Sequence, residues 1–137
     1  MKRDWDLIRK LLTDIEEGKD LLAELPSEPN LEDLSWEEFE SKHEEYKAVE
    51  SLICGHLEML IENGYINGLK IHRSSGNNFT WSISSPRLTM TGHDLLDTIR
   101  SSSVWSSIKS MAKDKGIELT FDAIKTLGGV ALKRLIT

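Results

Sequence analysis

Residues 46–100 read YKAVESLICGHLEMLIENGYINGLKIHRSSGNNFTWSISSPRLTMTGHDLLDTIR and open with a helical pattern. Apolar residues recur there every three or four positions, which predicts a long helix with one buried face. These residues are Tyr46, Val49, Leu52, Ile53, Leu57, Leu60 and Ile61. Asn63 and Gly64 follow them, and both residue types tolerate the left-handed conformation that ends a helix.

Two runs of alternating apolar and polar residues follow, and they predict a β-hairpin with one apolar face. The apolar positions are Leu69, Ile71, Phe79, Trp81 and Ile83. Residues 74–78 are rich in Ser, Gly and Asn and supply the turn. Pro86 is expected to end the second strand, because proline cannot donate to a strand ladder. The predicted hairpin therefore spans residues 66–85.

A second amphipathic helix is predicted after the hairpin. Thr89 is a good N-cap for it. Its buried stripe consists of Leu95, Leu96 and Ile99. A long helix, a hairpin and a capped helix, in this order, are typical of a winged helix-turn-helix, in which the hairpin is the wing. The sequence therefore predicts a mainly α-helical fold with a small β-hairpin.

Further helices are predicted before this unit. The first runs from about Asp4 to Glu17. Capping-box patterns begin at Ser35 and at Ser41, and they predict a brief helix near residues 36–40 and a separate long helix from about Lys42.

Two more helices are predicted after Arg100, separated by Gly116 and a possible cap at Thr120. We expect residues 1–100 to form the winged-helix domain and residues 101–137 to form a helical extension. That extension either packs back on the domain or forms a homodimer through residues 120–136. The sequence leaves both arrangements open.

The charges are divided unevenly along the chain, whose net charge is −6. Residues 1–66 contain 7 Lys/Arg and 18 Asp/Glu, a charge of −11, and the acidic segment 19–45 resembles an insertion. Residues 67–137 contain 10 Lys/Arg and 5 Asp/Glu, a charge of +5. The second half is therefore suited to an anionic partner, and the first half to solubility or to a basic partner.

Several classes of function lack their motifs. The single cysteine, Cys54, excludes an internal disulfide and a zinc-type cysteine pattern. The four histidines show no metal-ligand spacing, and the chain has no P-loop, no dinucleotide-binding glycine pattern and no serine elbow. We expect no enzyme activity, cofactor or metal. No apolar run is long enough to span a membrane, and the N-terminus lacks a signal-peptide core, so we expect a cytoplasmic protein.

DNA binding is the first functional hypothesis, because it is the usual role of a winged helix. The outer side of the long helix offers one lysine and three glutamates, which is unfavourable near phosphates. The wing is more suitable, since Lys, Arg, His and Asn residues cluster around it. The candidate DNA-binding residues are Lys47, Ser51, Lys70, Arg73, Asn77 and Arg87.

Protein binding is the alternative hypothesis, and it rests on the charge of −11 in the first half. The candidate residues are Glu50, Glu58 and Glu62, with Glu37, Glu38, Glu44 and Glu45 beside them. In this hypothesis the acidic surface docks a basic protein surface, as an adaptor, an inhibitor or a nucleic-acid mimic.

Four segments occur in an order and spacing that resemble a known family. They are MKRDWDLIRKLL, HLEMLIENGYI, RLTMTGHDLLDTIR and VWSSIKSMAKDKG. The chain resembles the bacterial and prophage proteins grouped as domain of unknown function 2513. This resemblance implies a winged helix and a phage or mobile-element setting, and it implies no catalytic residue.

Overall fold

The computed structural model describes residues 1–76 and 78–136, and in this part of the chain helices predominate. The helices are α1 (Trp5–Glu17), α2 (Trp36–Glu62), α3 (Met90–Ile99), α4 (Ser102–Lys115) and α5 (Phe121–Ile136), with a 3-10 turn at Leu31–Asp33. Strands β1 (Ile66–Ser74) and β2 (Asn78–Leu88) form an antiparallel hairpin. The fold is mainly α-helical with a small hairpin, as predicted, and it is consistent with a winged-helix-like arrangement.

Side-chain caps begin the helices at the predicted places. The Asp4 carboxylate accepts a hydrogen bond from the Leu7 amide at 3.1 Å at the start of α1. The Thr89 hydroxyl accepts one from the Gly92 amide at 3.0 Å at the start of α3. Each cap satisfies a backbone donor that has no partner within the first turn.

Helix α2 is longer than predicted. A single helix of 27 residues begins after Ser35, whose hydroxyl accepts from the Glu38 amide at 3.2 Å. The prediction of a separate helix that starts near Lys42 was wrong, and Ser41 lies inside the helix. No glycine or proline occurs between Pro29 and Gly55, so no residue in this segment interrupts the backbone hydrogen bonds.

Strand β2 continues beyond Pro86, which corrects the prediction that this proline ends the strand. The pairing register shifts between Asn67 and Leu69, where Gly68 has a φ of +86°. A Cβ at Gly68 would lie 1.7 Å from the Ser85 carbonyl oxygen, so only glycine fits there. Pro86 therefore lies beside an interruption of the ladder, where a missing N–H is tolerated.

All five helices and the hairpin contribute to one apolar core. Its largest fully buried side chains are Leu11, Leu12, Leu57, Ile66, Leu95, Leu96, Ile99, Ile108 and Ile124. Helix α5 packs back on this core through Ile124, Leu127 and Ala131, whereas Leu135 and Ile136 near its end are exposed. Each fully buried aliphatic side chain contributes roughly 1.5–3 kcal/mol, so the core positions the hairpin firmly on the helices.

Candidate nucleic-acid interface

The tip of the hairpin is held against α2 by a lysine that bridges the two elements. The Lys47 ammonium donates to the Asn78 side-chain oxygen at 2.7 Å and to the Glu50 carboxylate at 3.1 Å. Glu50 is only 3% exposed, so its charge needs a close cationic partner. Lys47 therefore neutralises a buried acid and binds the tip of the hairpin at the same time.

A second charged contact lies further along the same side of the hairpin. The Arg73 guanidinium donates to the Glu58 carboxylate at 2.7 Å, and its central carbon lies 4.8 Å from the centre of the Phe79 ring. Phe79 itself is buried. The part of the hairpin near its tip is thus bound to α2 by two charged contacts.

The N-terminal segment crosses the outer side of α2. A Cβ at Gly55 would lie 2.6 Å from the Met1 sulfur, so Met1 lies directly over this glycine. The Asp4 amide donates to Nε2 of His56 at 2.8 Å, which leaves the proton on Nδ1 to donate to the Leu52 carbonyl at 2.7 Å. His56 is fully buried, and both of its ring nitrogens are hydrogen-bonded.

Two titratable side chains beside Glu50 are held in their protonated forms. Burial first, and then the charge of Glu50, raise the pKa of Tyr46 to about 12. The same two causes raise the pKa of the Cys54 thiol to about 11. Because a thiol attacks as the thiolate, Cys54 is unreactive at neutral pH.

The outward face of the hairpin is polar and exposed. Its residues lie opposite one another in three pairs, Asn67 with Arg87, Lys70 with Ser82, and His72 with Thr80. No acidic residue occurs between positions 66 and 88 of the sequence. Within residues 1–76 and 78–136, neither Lys70 nor Arg87 forms an ion pair. This face therefore offers two uncommitted cations, surrounded by hydroxyl and amide groups.

The predicted DNA-binding cations fall into two groups. Lys70 and Arg87 lie on the outward face, while Lys47 and Arg73 lie in the contacts between the hairpin and α2. The alternation of side chains along a strand indicates which cations face α2. Arg73 is two residues from Ile71, so both side chains lie on the inner face of the hairpin. The predicted set of DNA-binding residues did not take account of this alternation or of the hydroxyl groups that accompany Lys70 and Arg87.

The other predicted residues lie on α2 or outside the described residues. Ser51 is half-buried on α2, and Asn77 is not among the described residues. Of the three glutamates in the protein-binding hypothesis, Glu50 is buried, Glu58 is paired with arginine and Glu62 is exposed. The structure thus separates these glutamates and does not gather them on one open surface.

The described part of the chain contains no group of three or more His, Cys, Asp or Glu residues that is arranged to hold a metal ion. Among the same residues, every helix is too short or too polar to cross a membrane.

Comparison with known proteins gives a family and one relative. A Haemophilus influenzae protein described as "Uncharacterized protein" is 33% identical over 136 residues, which cover 99% of each chain. No solved structure matches the chain. The family model described as "Hypothetical protein (DUF2513)" matches residues 2–118, which include the hairpin and helices α1 to α4. The chain therefore belongs to the DUF2513 family.

Proposed function

We propose that this protein is a non-enzymatic regulator that binds double-stranded DNA through the outward face of its hairpin. One observation carries the proposal: in a chain with a net charge of −6, this exposed face has two uncommitted cations and no acid. Phosphate contacts are made by Lys and Arg together with hydroxyl and amide groups, and the outward face supplies all of these.

The shape of the hairpin favours a duplex. The sheet contains only β1 and β2 in the described residues, and the major groove of DNA admits a two-stranded ribbon of this kind. Proteins that bind single strands use aromatic rings on which bases stack. The rings of the hairpin, Phe79 and Trp81, pair with inner-face residues of β1, so the outward face has no such ring except His72.

The candidate residues have different roles in this proposal. Lys70 and Arg87 contact phosphates directly, whereas Lys47 and Arg73 position the hairpin on α2. Helix α2 contributes little, because Met1 covers its outer side at Gly55.

The test compares two double variants that remove the same charge. Lys70→Ala with Arg87→Ala removes the cations of the outward face, and Lys42→Ala with Lys115→Ala removes two exposed cations elsewhere. Binding to a labelled duplex of random sequence is measured by fluorescence anisotropy from low to moderate salt. Each lost phosphate contact lowers the salt slope by about 0.9, so we expect the first variant to lose about 2 from the slope and about tenfold or more in affinity.

The control variant is expected to keep the slope of the unaltered protein. Equal slopes for the two variants would show that the outward face is not the contact surface. An absence of duplex binding by the unaltered protein at low salt would reject the proposed function itself.

A further inference from the structure

The first ten residues of α2, residues 36–45, form an arm that lies outside the core. None of them is buried, and none belongs to the apolar core cluster. At 1.5 Å per residue the arm is about 15 Å long. Its surface is therefore available to a partner along nearly three helical turns.

Three rings form a stripe along the arm. The ring centres of Trp36 and Phe39 lie 6.0 Å apart, and those of Phe39 and His43 lie 5.4 Å apart, with both pairs stacked. Trp36 is 61% exposed. Tryptophan is enriched at protein interfaces, and an aromatic stripe that no core residue covers is typical of a binding surface.

The charged side chains of the arm determine which kind of partner can cover these rings. The arm contains five glutamates, Glu37, Glu38, Glu40, Glu44 and Glu45, and a single cation, Lys42. Glu40 lies four residues after Trp36, and Glu44 lies four residues after Glu40, so these two carboxylates follow one edge of the ring stripe. Such a surface attracts cations and repels nucleic acid and anionic membranes.

The stripe ends at a cleft between α2 and the tip of the hairpin. This cleft has a volume of about 430 Å³ and is lined by residues that include His43, Glu44, Lys47, Ser51 and Gly76. The Lys47 ammonium there is already bonded to Glu50 and Asn78. A chain that follows the rings along the arm would reach the cleft at His43. The ring stripe and the cleft therefore form one continuous surface that runs along α2. This surface is long enough for an extended segment of several residues.

We propose that the arm docks an extended segment of a partner protein that bears several Lys or Arg residues. Their cationic groups lie over the exposed ring of Trp36 and pair with Glu40 and Glu44. A cation over an aromatic ring is favourable, particularly where carboxylates are close to it. This surface is separate from the outward face of the hairpin and has the opposite charge, so the proposal does not depend on DNA binding.

The test uses a labelled eight-residue peptide of alternating arginine and alanine as the probe. Trp36→Ala with Glu40→Gln removes one exposed ring and one carboxylate from the arm. Met90→Ala with Glu118→Gln is the control, since it removes one exposed apolar side chain and one exposed carboxylate elsewhere. We expect the arm variant to weaken peptide binding at least tenfold and the control variant to weaken it less than twofold.

Three results would overturn the proposal. One is equal weakening by both variants, which would indicate general attraction to an acidic protein. Another is a lack of peptide binding by the unaltered protein. The third is self-association of the protein in the absence of peptide, if this self-association is abolished by the arm variant and also by Lys70→Ala with Arg87→Ala. In that case the arm would bind the hairpin of a second copy of this chain. Circular dichroism confirms that the variants fold.

Discussion

The two parts of helix α2 differ in almost everything except their backbone. Residues 46–62 carry the long apolar stripe and pack against the core, the hairpin and the N-terminal segment. Residues 36–45, the arm, carry five glutamates and a short aromatic stripe, and no buried residue lies among them. A helical spacing of apolar residues therefore occurs both in a buried helix and in an exposed one. The number of aliphatic residues in the stripe indicates which part of α2 is buried.

The largest expected difference between the two parts is in stability. Leu57→Ala removes a side chain that is 0% exposed, and we expect it to lower the free energy of unfolding by about 2–5 kcal/mol. Phe39→Ala alters the arm, where the ring stacks on Trp36 and His43 and does not belong to the core cluster, so we expect a loss below about 1 kcal/mol. Urea unfolding followed by far-ultraviolet circular dichroism measures both values. Similar losses would mean that the arm is part of the cooperative core.

The next effect is a pH dependence of stability at Tyr46, the first residue of the packed part of α2. The folded protein holds the phenolic proton more tightly than the unfolded chain, because burial raises the pKa from 10.0 to about 12. This contribution to stability is complete below about pH 10 and is lost as the pH rises towards 12. At roughly 1.4 kcal/mol for each pKa unit, the loss over these two units is on the order of 3 kcal/mol.

Tyr46→Phe isolates this contribution. We expect the free energy of unfolding of the variant to fall less steeply between about pH 10 and pH 12 than that of the unaltered protein. Cys54→Ala serves as the comparison, since the pKa of its thiol is also raised and the thiol titrates in an overlapping range. An identical alkaline slope in Tyr46→Phe and the unaltered protein would contradict the role assigned to the phenol.

Local signals in the sequence were sufficient for most of the fold. The cap at Thr89 and the alternation in the hairpin depend on residues a few positions apart, and the structure confirms them. The continuation of β2 past Pro86 was not predictable in this way, since it depends on how Gly68 packs against the opposite strand.

The candidate site was less predictable, because it depends on contacts between distant residues. The pairing of Arg73 with Glu58 and of Lys47 with Asn78 joins the hairpin to α2 across 15 and 31 positions of the sequence. Charge counting treated all these cations as available for DNA. Only the packed structure distinguishes those that hold the hairpin from those that face outward.

The smallest expected losses in the free energy of unfolding concern two hydroxyl N-caps, Thr89 and Ser35. The Thr89 hydroxyl accepts from the Gly92 amide and donates to the Gly64 carbonyl, so it connects the end of α2 with the start of α3. We expect Thr89→Ala to cost about 1–2 kcal/mol, and Thr89→Ser to restore most of the loss. Ser35→Ala is expected to cost only about 0.5 kcal/mol or less, measured by the same urea unfolding.

The reason for this difference is the coupling of each cap to the core. Ser35 begins the arm, whose first turn can fray while residues 46–62 stay packed, so the loss of its cap is confined to that turn. Hydrogen exchange should then become faster at the amides of residues 38–40 in Ser35→Ala and stay unchanged in the second part of α2. Faster exchange along the whole of α2 would instead show that the arm and the packed part unfold as one unit.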